Sequence, residues 1–345
     1  MNKPNTFARA PFARWGRLAV AALAVAAMVT PLAACEGQLP TPVADSSTQA
    51  TPDLTEAQEK KIRLAILDGI DAADQAKSVD QLAAVMGGPQ LEIRSSQITV
   101  AQKTGSLSKF AVIPKDVAQV VIPTDDGWPR SVFTITTTTS DQQSKRLLVM
   151  NQASARQNYK LVAMARLFEG AQLPKFEIPT LGSKQGSAKD SGLVMTAADA
   201  LTQYADVLQN GSNSQYASKF ADDLLRQNLA KTAADVQAGM ERNNGTQQQT
   251  FEAVPDQMWV MRSAEGGELV VGRINSVWVR KAGDGRESQP ASDDEKALYN
   301  SDKYTSTMQV TYVNVVALYI PKAGGADAQV TAVGADRQPV KVEAL

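Results

Sequence analysis

The chain has no histidine and a single cysteine, Cys35, among its 345 residues. Without histidine it lacks the commonest general base and the commonest metal ligand. Ser-His-Asp and Cys-His nucleophile pairs are excluded within the chain, and one thiol makes neither a disulfide nor a thiolate zinc site. Catalysis would rest on carboxylates, Lys, Tyr or a Ser-Lys pair, so no cofactor, no metal and no enzymatic activity are expected. A basic excess is missing as well. The chain carries 35 basic and 36 acidic residues, and removing the four basic ones among the first 34 (Lys3, Arg9, Arg14, Arg17) leaves a net charge of −5. That is no electrostatic footprint for nucleic acid and no polybasic patch for anionic lipid. With 43% hydrophobic and 21% charged residues, the composition is that of a folded globular chain, long enough for two domains.

What is present begins with a basic stretch, residues 1–17, that contains no acid, followed by an apolar run, LAVAALAVAAMVTPLAA, over residues 18–34. Charge retained on one side and an apolar run entering the translocon is the pattern of a cleaved signal. Seventeen residues including Pro31 fall short of the roughly 20 that a membrane-spanning helix needs. Leu32, Ala33, Ala34 and Cys35 resemble the bacterial lipobox, which implies cleavage between Ala34 and Cys35 and a diacylglyceryl group on the cysteine sulfur. Two acyl chains, at ~0.8 kcal/mol per buried methylene, hold a protein stably where one chain does not. The expected partner is therefore the membrane, reached through lipid on Cys35, and the expected location is extracytoplasmic, lipid-anchored to the cell membrane of a bacterium. Residues 35–54 are rich in Pro, Ser, Thr and Gln, cannot bury enough apolar area to order themselves, and read as a flexible tether.

From Thr55 the pattern turns helical, with Ile62, Leu64, Ile66, Leu67 and Ile70 recurring to about Lys77 and a shorter helix expected over Ser78–Met86, ended by Gly87-Gly88-Pro89. Strands follow: Val117–Thr139 around a turn at Asp125–Pro129, then Lys145–Gln152 and Tyr159–Phe168 as a hairpin. The Gly-, Ser- and Lys-rich stretch near Thr180–Gly192 predicts an interdomain linker. The same order then repeats. Leu201, Tyr204, Ala205 and Leu208 share a helical face between an N-cap at Thr196 and a stop at Gly211. A second helix is expected to carry Tyr216, Phe220 and Leu224 on one stripe. Strands are expected over Gln249–Val254, Gln257–Arg262, Glu268–Arg280, Ser306–Ile320 and beyond Ala328. In Ser306–Ile320, six alternate apolar residues face one way and Asn314 interrupts them, as a satisfied core amide or as a cavity wall.

Helices followed by antiparallel strands define α+β. The repeated order resembles tandem nuclear-transport-factor-2-like or cystatin-like domains, each with helices packed on a bent, cone-like antiparallel sheet. The expected organisation is a signal peptide over 1–34, a tether over 35–54, a first α+β domain over 55–182, a linker over 183–194 and a second domain over 195–345. The phrase RLLVMNQASARQNYKLVAMARLFEGAQLPKF, Arg146–Phe176, is similar to a stretch found in uncharacterised actinobacterial lipoproteins that carry a domain of unknown function. That resemblance implies fold and location and brings no catalytic motif.

Cone-shaped folds of this type often enclose a pocket, and isomerase-like members pair a carboxylate base with a Tyr donor. Tyr204 and Asp206 are candidates by residue type, but two residues apart on a helix they point about 200° apart, which makes Tyr204 a core residue and Asp206 a solvated one. Asp125 and Asp126 read as a hairpin turn before Gly127. Ser292 and Glu295 read as a capping box, and together with Asp284 they match no calcium loop. The glycines of Gly266–Gly272 lack the Lys-Ser/Thr of a phosphate loop and fit a turn into a strand. Trp259 and Trp278 read as core or as a pocket wall. The expected function is a non-enzymatic binding or interaction module of the cell envelope, with an envelope protein or a small ligand as partner. The alternatives are a pocket-based isomerase or hydrolase, and a solute-binding lipoprotein of a transporter, whose alternating strand-helix units are not seen here. A deep pocket holding a carboxylate of raised pKa would favour the enzyme.

Overall fold

Helix α1 (Glu56–Ala76) starts where Thr55 and Gln58 cap each other. The Gln58 amide donates to Thr55 Oγ1 at 3.2 Å and the Thr55 amide to Gln58 Oε1 at 2.8 Å. Its apolar side, Ile66, Leu67, Ile70 and Ala73, is buried, and Lys77 ends it in the left-handed region. A single helical turn, α2 (Leu82–Val85), follows. The computed structural model describes residues 51–125, 127–140, 144–325 and 328–345. The signal segment, Ala34, Cys35, the tether up to residue 50, and Asp126 lie outside the described residues. No helix among the described residues is long and apolar enough to cross a membrane.

α2 ends just ahead of Gly87-Gly88-Pro89, as expected, but that stretch does more than stop a helix. It opens α3 (Gly88–Thr104), with Pro89 in the first turn, where a missing N–H costs nothing. The periodicity argument fails for α3 because it is buried on several sides at once: Gln90, Arg94, Ser96 and Gln97 are buried along with Ile93, Ile98 and Ala101. A helix enclosed in this way carries no apolar stripe to read.

The strands are β1 (Val117–Val121), β2 (Arg130–Thr136), β3 (Arg146–Gln152), β4 (Lys160–Leu167), β5 (Thr246–Arg262), β6 (Glu268–Lys281), β7 (Thr307–Ile320) and β8 (Thr331–Ala344). They form one strongly curled antiparallel sheet in the order β1-β2-β3-β4-β8-β7-β6-β5. The two strand segments expected around Val254 are one strand with a bulge between Val254 and Met258. Both halves of the chain thus contribute four strands to a single sheet. They meet at β4 and β8 through only two residue pairs, Arg166 with Ala335 and Leu167 with Gly334. Gly334 is required there, since a Cβ would lie 2.7 Å from the Arg166 carbonyl oxygen. α3 bonds across to the second half: Ser96 Oγ donates to the Pro339 carbonyl at 2.6 Å, and Glu92 pairs with Arg273 on β6 at 2.7 Å.

One apolar cluster joins Phe133 and Ile135 of β2 to Val271 of β6 and Val313 and Val315 of β7. Strands so far apart in the order meet only on the concave side of a curled sheet, so this cluster is the interior. The opposite face is covered in the first half by α1 and α2 over Val132, Leu148 and Met164. In the second half α4 (Ala197–Asn210) lies over Val270, Ile274, Val316 and Leu318. Residues 183–186, in the expected linker, tie the two edges of the sheet together. Ser183 N–H donates to the Ile122 carbonyl just after β1 at 2.8 Å, while Gly186 N–H donates to Val260 and Arg262 N–H to Lys184, each at 3.0 Å, on β5. We call this segment the strap.

The stripe expected of Tyr216, Phe220 and Leu224 does not form one helix. Short turns occupy residues 211–213 and 217–219, Phe220 bridges to Val330, and α5 (Leu224–Glu241) starts only after its cap Asp223, leaving Leu224 exposed. The last helix, α6 (Asp293–Leu298), packs against α3 and β8.

Candidate functional site

Tyr204 is buried on α4 and donates to Asp223 Oδ2 at 3.0 Å, not to Asp206. Burial and the neighbouring Asp223 carboxylate push the phenol well above its ordinary value. Asp223 also accepts the first amides of α5, Leu225 N–H at 2.9 Å and Arg226 N–H at 3.0 Å, so this tyrosine–carboxylate pair fastens α5 to α4. Its signal in the sequence was an Asp directly ahead of a helical run. Asp206 holds the following turn through Asn210 Nδ2 at 2.9 Å and the Ser214 hydroxyl.

Asn314 is fully satisfied. Its amide donates to the Ile274 carbonyl at 2.8 Å and to Ser276 Oγ at 3.1 Å, and its oxygen accepts from Arg337 at 2.9 Å. Glu295 goes beyond a cap: it is buried, takes both nitrogens of Arg280 at 3.1 and 2.5 Å, and accepts from Tyr312. Asp284 is exposed, and no group of three His, Cys, Asp or Glu positioned for a metal occurs among the described residues. Gly266, at φ 86°, turns the chain into β6. Trp278 is core, bonded to Gln247 Oε1 at 2.7 Å, while Trp259 packs on the interior cluster and lines the recess at the strap.

That recess, about 410 Å³, lies between Asp125, Ser131, Gln185, Asp190, Trp259 and Arg262. Asp125 fixes the strap by accepting Gln185 N–H at 2.8 Å. Beside it sits the carboxylate pair that sequence reading missed. Asp190 Oδ2 is 2.5 Å from Arg262 and accepts Ser187 N–H at 3.0 Å. Burial lifts Asp190, but hydrogen bonds from Glu268, Ser187 and Arg262 outweigh it and hold the carboxyl well below the usual range. Burial pushes Glu268 up to about 8, reinforced by its hydrogen bond to Asp190 and opposed by Arg262. Glu268 is therefore protonated at neutral pH and donates to Asp190. It is nonetheless 2% exposed and does not line the recess. Gly186 covers it, and a Cβ there would stand 2.7 Å from Oε1. A general acid has to reach its substrate; Glu268 meets Asp190, Arg262 and the covering Gly186.

A largely apolar recess lies between α1, α2 and the β3–β4 turn. It measures about 530 Å³ and is walled by Leu54, Ile62, Ala65, Ile66, Ala84 and Val85. Gln58, Lys61, Gln152 and Asn158 contribute polar groups, and Tyr159 completes the lining. Tyr159 is 7% exposed and its hydroxyl has no hydrogen-bond partner among the described residues. Burial first, and the Asp53 carboxylate second, push it up to about 12, so it stays protonated and can donate. An apolar groove of a few hundred Å³ with a few convergent polar groups is the usual form of a small-molecule site. A buried hydroxyl left unbonded costs about 1–3 kcal/mol, a cost that an incoming acceptor removes.

The fold and this groove define a mixed helix-and-strand protein with one curled sheet and ligand-sized recesses beneath its outer helices. Residues 50–341 match the family described as a domain of unknown function, DUF8094, and the chain belongs to that family. No curated protein and no solved structure matches it.

Proposed function

We propose that the protein is a membrane-anchored, extracytoplasmic binding protein without enzymatic activity, which takes the apolar part of a small amphipathic molecule into the α1–α2 groove. The observation that carries this reading is the buried, unpartnered hydroxyl of Tyr159 in the lining of an apolar recess. Apolar walls take a hydrocarbon body, and Tyr159 donates to an acceptor such as an ester or carboxyl oxygen. Lys61, Gln152 and Asn158 meet the polar end. The anchor rests on the Leu32-Ala33-Ala34-Cys35 pattern, with cleavage after Ala34 and lipid on Cys35. The absence of histidine and the sealing of Glu268 beneath Gly186 support binding over catalysis. The tandem reading of residues 55–182 and 195–345 is retained as a statement of origin, two related cone-like units merged into one sheet. It is supported by helices ahead of four strands in the first half and by the same order, interrupted by α6, in the second.

The test is photolabelling. Natively produced protein in nanodiscs is incubated with a photoreactive fatty acid, and labels are mapped by mass spectrometry. Labels are expected on residues 56–76 and 82–85. They should be lost in Ala65→Trp, which fills the groove from an exposed position, and reduced severalfold in Tyr159→Phe. Labelling elsewhere, indifferent to both substitutions, would sink the groove assignment. The N-terminal mass from the same sample tests the anchor, and an unacylated Cys35 would remove it.

A further inference from the structure

The described chain enters the fold at Pro52 and Asp53, and what surrounds that entry is unusual. Asp53 N–H donates to the Pro123 carbonyl at 2.8 Å, and its carboxylate pairs with Arg130 at 3.4 Å. The Arg130 guanidinium stacks 4.3 Å over the ring of Trp128. On the other side Pro52 packs against Gly182, where an added Cβ would lie 3.4 Å from its ring. Gly182 closes a turn in which the amides of Leu181 and Gly182 both donate to the Ile178 carbonyl at 2.9 Å. Trp128, Ile178 and Leu181 are 44, 60 and 45% exposed. Three of the most exposed large apolar side chains therefore ring the point where the chain from residues 1–50 joins the fold. The α1–α2 groove lies at the same end: Trp128 Nε1 donates at 3.1 Å to Gln152, which also lines the groove.

We propose that this end of the molecule rests on the bilayer, with Trp128, Ile178 and Leu181 in the boundary between headgroups and acyl chains. The inference rests on the anchoring reading above and specifies orientation. A tryptophan with one wet edge and a polar N–H partner is suited to that boundary, and isolated aliphatic side chains beside it add apolar area. Arg130, which stacks on Trp128, is already paired with Asp53, so the contact rests on apolar area rather than on a free guanidinium. Seating here turns the groove toward the membrane, the source of amphipathic ligands. The other exposed pair, Phe110 and Val112, lies beside Arg146 at the far end of β3, where Arg146 Nε donates to the Val112 carbonyl, roughly 20 Å away at ~3.3 Å per residue.

The experiment uses the natively lipidated full chain in phosphatidylcholine vesicles with brominated acyl chains, reading tryptophan emission and vesicle flotation together. Subtracting the Trp128→Phe spectrum isolates Trp128 from buried Trp278 and half-buried Trp259. The expected result is a roughly twofold or greater loss of the Trp128 emission, little changed by added salt. Ile178→Ser with Leu181→Ser should cut that quenching severalfold while flotation is unchanged, and Phe110→Ser should leave both as they are. Flotation without quenching of Trp128, or an equal effect of Phe110→Ser, overturns the orientation and leaves the anchor standing. Failure to float, with an unacylated N-terminus, overturns both.

Discussion

The strap invites a quantitative test through Glu268. Its folded pKa of about 8 lies above the ordinary 4.5. The stability it contributes is therefore fully present below about 4.5 and is lost as pH rises through about 8. At about 1.4 kcal/mol per tenfold, the gap between those values sets a ceiling of roughly 5 kcal/mol. The real loss is smaller, because an ionised Glu268 beside Asp190 escapes by releasing the strap before the whole domain unfolds. Release breaks the backbone bonds of Ser183, Gly186 and Arg262, each worth about 1 kcal/mol net, which limits the loss to roughly 3 kcal/mol. Thermal unfolding between pH 5 and 9 should then show a melting temperature falling by several degrees, with the amides of Gly186 and Arg262 exchanging faster at the alkaline end. Glu268→Gln, which keeps a neutral donor to Asp190, should flatten both profiles. An equal slope in Glu268→Gln, or strap amides indifferent to pH, would refute the reasoning.

Other substitutions probe the second half. Glu295→Gln leaves buried Arg280 uncompensated and should cost about 3–5 kcal/mol in denaturant unfolding. In the wild type, burial raises Glu295 but Arg280 and Tyr312 hold it below the ordinary 4.5, so this contribution should fade as pH falls below that value and be absent in the variant. Gly272→Ala puts a Cβ 2.7 Å from Leu201 and should cost about 1–3 kcal/mol by lifting α4, with part recovered when Leu201→Ala is added. α5 buries only Leu225, so its amides should exchange ahead of those of β6 and β7. Asp223→Ala, which removes the cap and the Tyr204 acceptor together, should speed them further and cost about 1–2 kcal/mol.

Elements with one buried face were readable from the residues. The start of the helical pattern at Thr55, the Thr196 and Gly211 limits of α4 and the alternation along β7 all sit where local chemistry and burial agree. α3 was not, since a helix buried on several sides has no stripe, and its polar Gln90, Arg94 and Gln97 resemble a loop in one dimension. The strap was missed for a related reason. Its Gly, Ser and Lys composition is that of a linker, and only the two sheet edges on either side give its amides partners. Asp190 and Glu268 are 78 positions apart and far from any motif, so no spacing rule could pair them. Tyr159 stood in a strand hairpin like any core aromatic; only the absence of a partner for its hydroxyl marks it.

Where the protein offers space follows from how the sheet closes. Ordinarily a curled sheet keeps its pocket inside, but here Phe133, Val149, Val271, Val315 and Phe176 fill the concave side and the strap ties its edges together. Open space is left on the outer faces, at the covering helices. Of those helices, α1 and α2 meet over an incompletely filled apolar seam whose lining includes Tyr159. The same seam opens where the chain enters the fold, beside Trp128. A packed interior and a recessed exterior thus place groove, entry point and exposed apolar side chains at one end, the arrangement on which the proposed seating on a bilayer rests.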